Sequence, residues 1–104
     1  MNRAALGTAL AALIAADAPA LATLDVSGNE LGTAGLGPIV EALPLNRHLR
    51  DLKLMGNHLE PDFARRRLLP AVRANTGLRR LQGSKRRRAK TEAEELVSAR
   101  PPLN

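Results

Sequence analysis

Two segments of the chain carry the same pattern at a fixed distance. The segment LATLDVSGNEL begins at Leu21, and the segment LRDLKLMGNHL begins at Leu49, so the pattern returns after about 28 residues. Both read L-x-x-L-x-[VL]-x-G-N-x-L, and the residues that follow also align, with Asn46 matching Asn75. A third start, LRRL, follows at Leu78, one position later than an equal spacing would place it. A unit that recurs in this way predicts stacked copies of one supersecondary structure, in which neighbouring copies bury a continuous core.

Each unit contains a strand signal followed by a helix signal. In the first unit, alternation puts Leu24 and Val26 on one face of a short strand and polar residues on the other. Apolar residues over 36–43 then recur with helical spacing. The asparagine between the two signals, Asn29 or Asn57, is predicted to be buried and to bond the backbone of the turn. One strand and one helix per unit predict a parallel sheet covered by helices on one face.

The units resemble leucine-rich repeats, and their length of about 28 residues is similar to that of the ribonuclease-inhibitor-like subfamily. The likeness is strong over residues 21–60, weaker over 61–82 and absent beyond. It implies an α/β fold: a short segment of a right-handed, horseshoe-shaped solenoid with its parallel sheet on the concave face and its helices on the convex face. It also implies binding to another protein as the usual role.

The chain is predicted to form one domain in three parts. These are an N-terminal capping helix or incomplete repeat over 1–20, the repeats over 21–82, and a basic loop with a C-terminal capping helix over 83–104. The N-terminal helix is expected around residues 3–16, with Leu6, Leu10, Leu13 and Ile14 on one face. A positive residue, an apolar run and small residues also resemble a secretory signal here, but the helical spacing favours a structural helix.

The third unit departs from the pattern of the first two. Gly83 stands where the third leucine is expected, and Arg86 stands where the asparagine is expected, so the array should not continue. Further along, Thr91 and Glu94 have the spacing of a capping box, which predicts a short terminal helix. That helix is expected to lie against the last repeat or to be frayed.

The polar positions of the strands are the candidate contact surface. The resemblance implies that they lie on the concave face, where we expect Thr23, Asp25, Ser27, Asp51, Lys53, Met55, Arg80 and Gln82. The repeat alignment places Asp25 beside Lys53 and Asp51 beside Arg80, so these pairs could also neutralise one another on a solvated face. Met55 is the apolar position on this face and a candidate anchor for a partner.

Positive charge is concentrated in one part of the chain. Residues 47–90 carry fourteen Lys or Arg against three acids, and the basic patch within it consists of Lys85, Arg86, Arg87, Arg88 and Lys90. This cluster fits a solvated loop, a short nuclear-import-like signal or a weak, non-specific nucleic-acid patch. The segment from Arg79 to Lys90 therefore supports an alternative function as a nucleic-acid-associated or nuclear-targeted protein. The lack of aromatic residues near it argues against base stacking.

Other classes of function find less support. With no cysteine and no clustered histidine and carboxylate residues, the sequence predicts no catalytic, metal or cofactor site and hence no enzyme. His48 and His58 are interpreted as surface residues. The absence of cysteine favours an intracellular, cytoplasmic setting, with a nuclear one as the alternative, and no run is long enough to span a membrane. So few repeats also fit a terminal fragment of a longer repeat protein, which would self-associate through its exposed edges.

Overall fold

A computed structural model of the chain describes residues 2–83 and 90–103. The elements follow one another as α1 (Arg3–Ala15), β1 (Thr23–Asp25), α2 (Gly32–Ala42), β2 (Asp51–Lys53), α3 (Pro61–Phe63), α4 (Leu69–Ala74), β3 (Arg80–Gln82) and α5 (Glu92–Ser98). A 3-10 turn, Leu43–Leu45, extends α2, and a π-helical segment, Ala64–Leu68, joins α3 to α4. The three strands form one parallel sheet in the order β1-β2-β3. The predicted α/β architecture, with a small parallel sheet and helices, is confirmed.

The register of the sheet follows the spacing of the repeat. Leu24 pairs with Leu52, which pairs with Leu81, so equivalent residues of the three units lie side by side. These leucines point to the helix layer, where Leu52 is fully buried in a single apolar core. The residues before and after each leucine turn to the other face, which no described element covers. The sheet therefore has one buried face and one open face, as period-two alternation predicts.

The second unit is one residue longer than the first, and the extra residue lies in its helix. Equivalent leucines of the first and second units are separated by the same number of residues as far as Leu31 and Leu59. The separation of the next equivalent pair, Ile39 and Leu68, is longer by one residue. The additional residue thus enters between residues 59 and 68, where the chain forms its π-helical segment. A π-turn accommodates one extra residue per turn. The strands can therefore stay in register although the units differ in length.

Buried asparagines hold the corners of the array. The Nδ2 of Asn57 donates to the carbonyls of Val26 and Leu54, both at 2.9 Å, while its Oδ1 accepts from the amides of Asn29 and Leu31 at 3.1 and 3.2 Å. Four backbone groups of two units are thus satisfied by one side chain that is 1% exposed. This confirms the buried turn role that the sequence predicts for Asn57.

Asn29 does not have the same environment, and the prediction that it is buried is wrong. Its side chain is exposed and donates within its own turn, to the carbonyl of Val26 at 2.7 Å. No strand of the described residues precedes β1, so Asn29 has no earlier unit to bridge. Asn29 and Asn57 occupy the same position of the repeat, but the side chain of Asn57 links two units and that of Asn29 bonds only its own turn.

A second pair of asparagines lies at the opposite corner, where the helices return to the strands. Asn46 donates to the carbonyl of Ile14 at 2.9 Å and accepts from the amide of Leu49 at 2.7 Å. Asn75 donates to the carbonyl of Leu43 at 2.8 Å and accepts from the amide of Leu78 at 3.0 Å. Both are 1% exposed. The helix layer is therefore joined to the next strand by the same chemistry that joins the strands to their turns.

The C-terminal end of the array is closed by α5. Glu94 is buried, and its carboxylate accepts from the amide of Gly83 and, at 2.7 Å, from the amide of Thr91. Thr91 accepts in turn from the Glu94 amide at 3.2 Å, which confirms the predicted capping box. A Cβ on Gly83 would lie 2.8 Å from Leu59 Cδ2 and 3.3 Å from Glu94 Oε1. A larger residue here would require the Leu59 and Glu94 side chains to shift, because they fill the position that the third leucine would occupy. Arg86 lies outside the described residues.

Replacing Glu94 by alanine is expected to lower the free energy of unfolding by about 2 kcal/mol, because the buried amide of Gly83 loses its acceptor and the capping box is broken. Urea unfolding followed by far-ultraviolet circular dichroism measures this difference. The exposed neighbour Glu92 provides the control: Glu92→Ala should shift the free energy by less than about 0.5 kcal/mol. Equal effects of the two substitutions would contradict the role given to Glu94.

The N-terminal helix packs closely on the first repeat. A Cβ on Gly7 of α1 would lie 2.1 Å from the carbonyl oxygen of Gly35 in α2, so the two helix backbones touch at this point. Ile14 is fully buried, whereas Leu13, predicted on the same face, is 52% exposed. Leu13 lies one position before Ile14 and has turned away from the contact, so its assignment to the buried face is wrong.

Asp17, just after α1, ties the N-terminal segment to the loop before β2. Its Oδ1 accepts from the Arg47 amide at 2.7 Å and lies 2.9 Å from His48 Nδ1. His48 is therefore half-buried and bonded rather than a free surface residue, in contrast to the sequence interpretation; His58 is exposed as predicted. The Arg47 amide is the main cause that holds the pKa of Asp17 below its ordinary value; burial opposes it, and the His48 ring and amide reinforce it.

This bonding makes a prediction for acid. A carboxyl whose folded pKa is lowered stabilises the fold above its ordinary pKa, and the stabilisation is lost as the pH falls through the folded pKa. The Asp17→Asn variant should therefore unfold at a lower temperature than the wild type above about pH 5, and the two melting temperatures should converge as the pH falls below about 4, the ordinary pKa of an aspartate. Scanning calorimetry across this range measures the gap, and a gap that stays constant with pH would contradict the assignment.

Candidate functional site

The open face of the sheet gathers the polar strand positions. Two columns cross the three strands side by side: Thr23, Asp51 and Arg80 in one, and Asp25, Lys53 and Gln82 in the other. We call these six residues, with Ser27 and Met55 at the ends of their strands, the open sheet face. Thr23, Asp25 and Arg80 are exposed or nearly so, and the other five are half-buried. The register that the repeat alignment predicts for these residues is confirmed.

Charge alternates across this surface. The Ser27 hydroxyl and amide hold the pKa of Asp25 below its ordinary value, and the positive charge of Lys53 lowers it further. The Ser27 amide donates to Asp25 Oδ1 at 2.9 Å. Asp25 is thus fixed as a carboxylate, and its orientation is set by its own turn. Asp25 is exposed, so its charge lies on the solvent side of the sheet.

The expected pairing of charges within the face is weaker than the alignment suggests. Within residues 2–83 and 90–103, neither Asp25 with Lys53 nor Asp51 with Arg80 comes within salt-bridge distance. One carboxylate oxygen of Asp51 is shielded from solvent and has no hydrogen-bond partner in the described part of the chain. A shielded acceptor without a donor is uncommon in folded proteins. Asp51 is therefore a position on this face with unmet capacity to accept a hydrogen bond.

Met55 lies at the end of the second strand segment. Its carbonyl accepts from the Gly28 amide at 2.7 Å, so its backbone is held by the neighbouring turn. Its side chain is half-buried rather than prominent. A flexible thioether at this position offers a small, adaptable apolar contact beside the charged columns.

Only part of the basic segment, from Arg79 to Lys90, lies within the described residues. Lys85, Arg86, Arg87 and Arg88 lie outside the described residues, and Lys90 is exposed just before α5. Arg79 uses its guanidinium within the chain, where Nε donates to the Pro101 carbonyl at 2.8 Å and Nη1 donates to the Thr76 carbonyl at 2.7 Å. Arg79, the first residue of the predicted basic segment, is thus a structural contact to the C-terminal segment.

Sequence reasoning did not find three of the residues that shape the ends of this site. Asn46 and Asn75 are visible as an aligned column, but their burial is not, because the pattern alone does not show which carbonyl each amide reaches. Arg100 has a charge that favours the end of α5, but its guanidinium also donates to the Leu78 and Val72 carbonyls at 3.0 and 2.6 Å. These contacts join the end of α5 to α4 and to the segment that leads into β3.

Within the described residues, no group of three or more His, Cys, Asp or Glu side chains is arranged to hold a metal ion. None of the described helices combines the length and apolarity that crossing a membrane requires.

Comparison with known families matches two parts of the chain. Residues 20–40 and 45–62 fit the family model described as Leucine Rich repeat. These ranges contain β1 with most of α2, and β2 with the start of the next helical segment. Searches of the curated proteins and of the solved structures found no match.

Proposed function

We propose that these two leucine-rich repeats, extended by a third strand, form a non-enzymatic module that binds another protein through the open sheet face. The observation that carries the proposal is the contrast between the two faces of the sheet. One face is sealed by the helices, and the other presents charged side chains on a backbone that buried asparagines hold in place. A unit length of about 28 residues supports the ribonuclease-inhibitor-like subfamily.

The charge pattern favours a partner surface of mixed charge. Asp25 and Asp51 lie diagonally across from each other, and Lys53 and Arg80 lie beside them. A partner cation beside Asp25 or a partner carboxylate beside Arg80, both of which are exposed, would form a charge-assisted hydrogen bond, which is among the stronger contacts of an interface. A surface with both signs of charge also selects orientation, because a rotated partner would place like charges together.

The face is small, which limits the kind of complex. Three strands spaced about 4.8 Å apart make a surface far smaller than the roughly 800 Å² per partner that a standard interface buries. A bound protein would therefore also contact the turns after the strands, at Gly28 and Gly56. We expect a transient complex in which the open sheet face supplies the centre.

A matched pair of charge reversals tests this proposal. Lys53→Glu alters the centre of the open sheet face, whereas Arg66→Glu makes the same charge change on the helix layer, where Arg66 is exposed. We expect a partner captured by the immobilised wild-type chain to bind Lys53→Glu at least about tenfold more weakly, which corresponds to about 1.4 kcal/mol. Arg66→Glu should bind within about twofold of the wild type. Equal loss in both variants would point to net charge rather than to this face.

The basic segment supports the alternative, a nucleic-acid-associated protein. The concentration of positive charge over residues 47–90 and the exposed side chains of Arg80 and Lys90 favour contact with phosphate. Titration with DNA and RNA between about 50 and about 200 mM salt separates the two functions, because phosphate contacts weaken steeply over this range. Binding that is tight at physiological salt, weakens steeply as the salt is raised further and disappears when Lys85 to Arg88 are neutralised would favour the alternative.

A further inference from the structure

The two ends of the repeat array are finished differently. At the C-terminal end, the outward amide of Gly83 is bonded by Glu94, and α5 contacts β3. At the N-terminal end, α1 packs on α2 in the helix layer, and the outer edge of β1 has no neighbouring strand among residues 2–83 and 90–103. The edge of the sheet at β3 is thus partly covered by α5, and the edge at β1 is open.

The hydrogen bonds of the sheet show which groups this open edge presents. The Val26 amide donates to the Lys53 carbonyl at 3.0 Å, and the Ala22 carbonyl accepts from the Asp51 amide at 3.0 Å. Because successive residues of a strand direct their backbone groups to opposite sides, Ala22, Leu24 and Val26 face β2. Thr23 and Asp25 therefore direct their N–H and C=O groups away from the sheet. Such an edge is a template for another strand.

The same end of the core is incompletely covered. Leu24 and Leu21 are half-buried, whereas their counterparts Leu52 and Leu49 in the second unit are fully buried. Beside them in the helix layer, α1 carries no charge between Arg3 and Asp17. Its exposed side chains include Ala5, Ala9, Ala12, Leu13 and Ala15, most of them small enough to let a second helix approach closely. Sheet, core and helix layer therefore end at one weakly polar surface.

We propose that a second copy of the chain covers this surface, with β1 pairing antiparallel to β1 of the other copy. A two-fold axis perpendicular to the sheet is the arrangement that keeps both helix layers on the same side and brings equal edges together. In that arrangement, Thr23 lies opposite Asp25 of the other copy, and the two residues exchange both backbone hydrogen bonds. Two-fold symmetry repeats the exchange, which gives four bonds in all.

The side chains agree with this register. On the open face, the Thr23 hydroxyl meets the Asp25 carboxylate of the other copy, so a donor faces an acceptor and no two carboxylates are directly opposed. On the core face, Leu24 meets its own counterpart in a closely spaced pair, which covers the leucine that the monomer leaves half-exposed. An arrangement that turned one helix layer to the opposite side would leave both leucines uncovered. The six strands of the dimer then form one continuous sheet.

Proline at position 23 tests the pairing selectively. It removes the N–H that faces the open edge and leaves the bonds from β1 to β2 intact, and proline is accepted in edge strands under this condition. Thr23→Val is the control, because it keeps both the amide and the branched shape. Sedimentation equilibrium of the intact chain, from about 5 µM to about 500 µM, should show a dimer for the wild type. The dissociation constant should rise at least about tenfold in Thr23→Pro and change less than about threefold in Thr23→Val.

The same measurements can also overturn the proposed dimer. A wild type that stays monomeric over the whole range, or a Thr23→Pro chain that dimerises as well as the wild type, would overturn the proposal. If Thr23→Pro loses its circular dichroism signal, hydrogen exchange of the wild type decides instead: the amides of Thr23 and Asp25 should become protected as concentration rises. Exchange at these amides that is independent of concentration would overturn the dimer. So would protection that appears only when a partner of the open sheet face is added.

Discussion

An Asn57→Ala substitution is expected to lower the free energy of unfolding by about 4 kcal/mol. The alanine leaves two amides, of Asn29 and Leu31, without their acceptor and the Leu54 carbonyl without its Asn57 donor, while the Val26 carbonyl keeps its bond from the Asn29 side chain. The site is almost fully buried, so solvent replaces these bonds poorly. Folded proteins have about 5 to about 15 kcal/mol of stability in total, so the loss is a large fraction of it.

The chain contains its own control for this measurement. Asn29 occupies the same column of the first repeat, is exposed, and its side chain bonds only its own turn. Asn29→Ala should therefore lower the free energy of unfolding by less than about 1 kcal/mol. Urea unfolding of both variants beside the wild type gives the comparison. Similar losses for the two asparagines would show that burial between units is not what makes Asn57 important.

Adding a single methyl group at Gly7 is expected to lower the free energy of unfolding by about 3 kcal/mol. Alanine is ordinarily preferred over glycine inside a helix by about 1 kcal/mol, so propensity alone predicts the opposite sign. The packing decides, because the new Cβ would lie 2.1 Å from the Gly35 carbonyl oxygen, and backbone cannot yield as a flexible side chain does. Either α1 moves away from α2 or both helices bend.

Gly37→Ala is the matched control for this helix contact. Gly37 also lies inside a helix, but a Cβ there would have Arg67 Nη2 as its nearest neighbour, at an ordinary 3.5 Å. We expect its free energy of unfolding to stay within about 1 kcal/mol of the wild type. Thermal unfolding of the two variants, together with the near-ultraviolet signal of the single aromatic residue, Phe63, reports stability and packing. A Gly7→Ala chain as stable as Gly37→Ala would mean that α1 does not pack through Gly7.

The repeat pattern predicts the structural features that recur in every unit, but it does not predict those that differ between units. Spacing alone supplies the strands, their parallel order and their register, because equivalent residues of stacked units lie side by side. Spacing also groups Asn29 with Asn57, although one is exposed and the other buried. The difference arises from position in the array: an asparagine that links two units needs a unit before it, and the described residues before β1 contain a helix but no strand.

The candidate site shows the same division. Alternation correctly predicts which strand residues face away from the core, because side-chain direction follows from strand geometry alone. It does not predict that Asp25 turns to its own Ser27 amide or that Arg79 turns to the Pro101 carbonyl. Those bonds depend on rotamers and on the detailed path of the turns and the C-terminal segment. Charge patterns therefore locate the open sheet face but overstate how far its charges neutralise one another.

The buried asparagines also constrain the number of residues in each unit. The amide of Asn46 reaches Ile14, that of Asn75 reaches Leu43, and that of Asn57 reaches Val26, over 32, 32 and 31 residues. Each bond joins two points of the chain that are separated by one complete strand–helix unit. A residue added within a unit must therefore be accommodated inside that unit, as the π-helical segment accommodates the extra residue of the second unit. Longer relatives of this fold would therefore be expected to grow in whole units of about 28 residues, inserted between these asparagines, rather than by gradual lengthening of any single element.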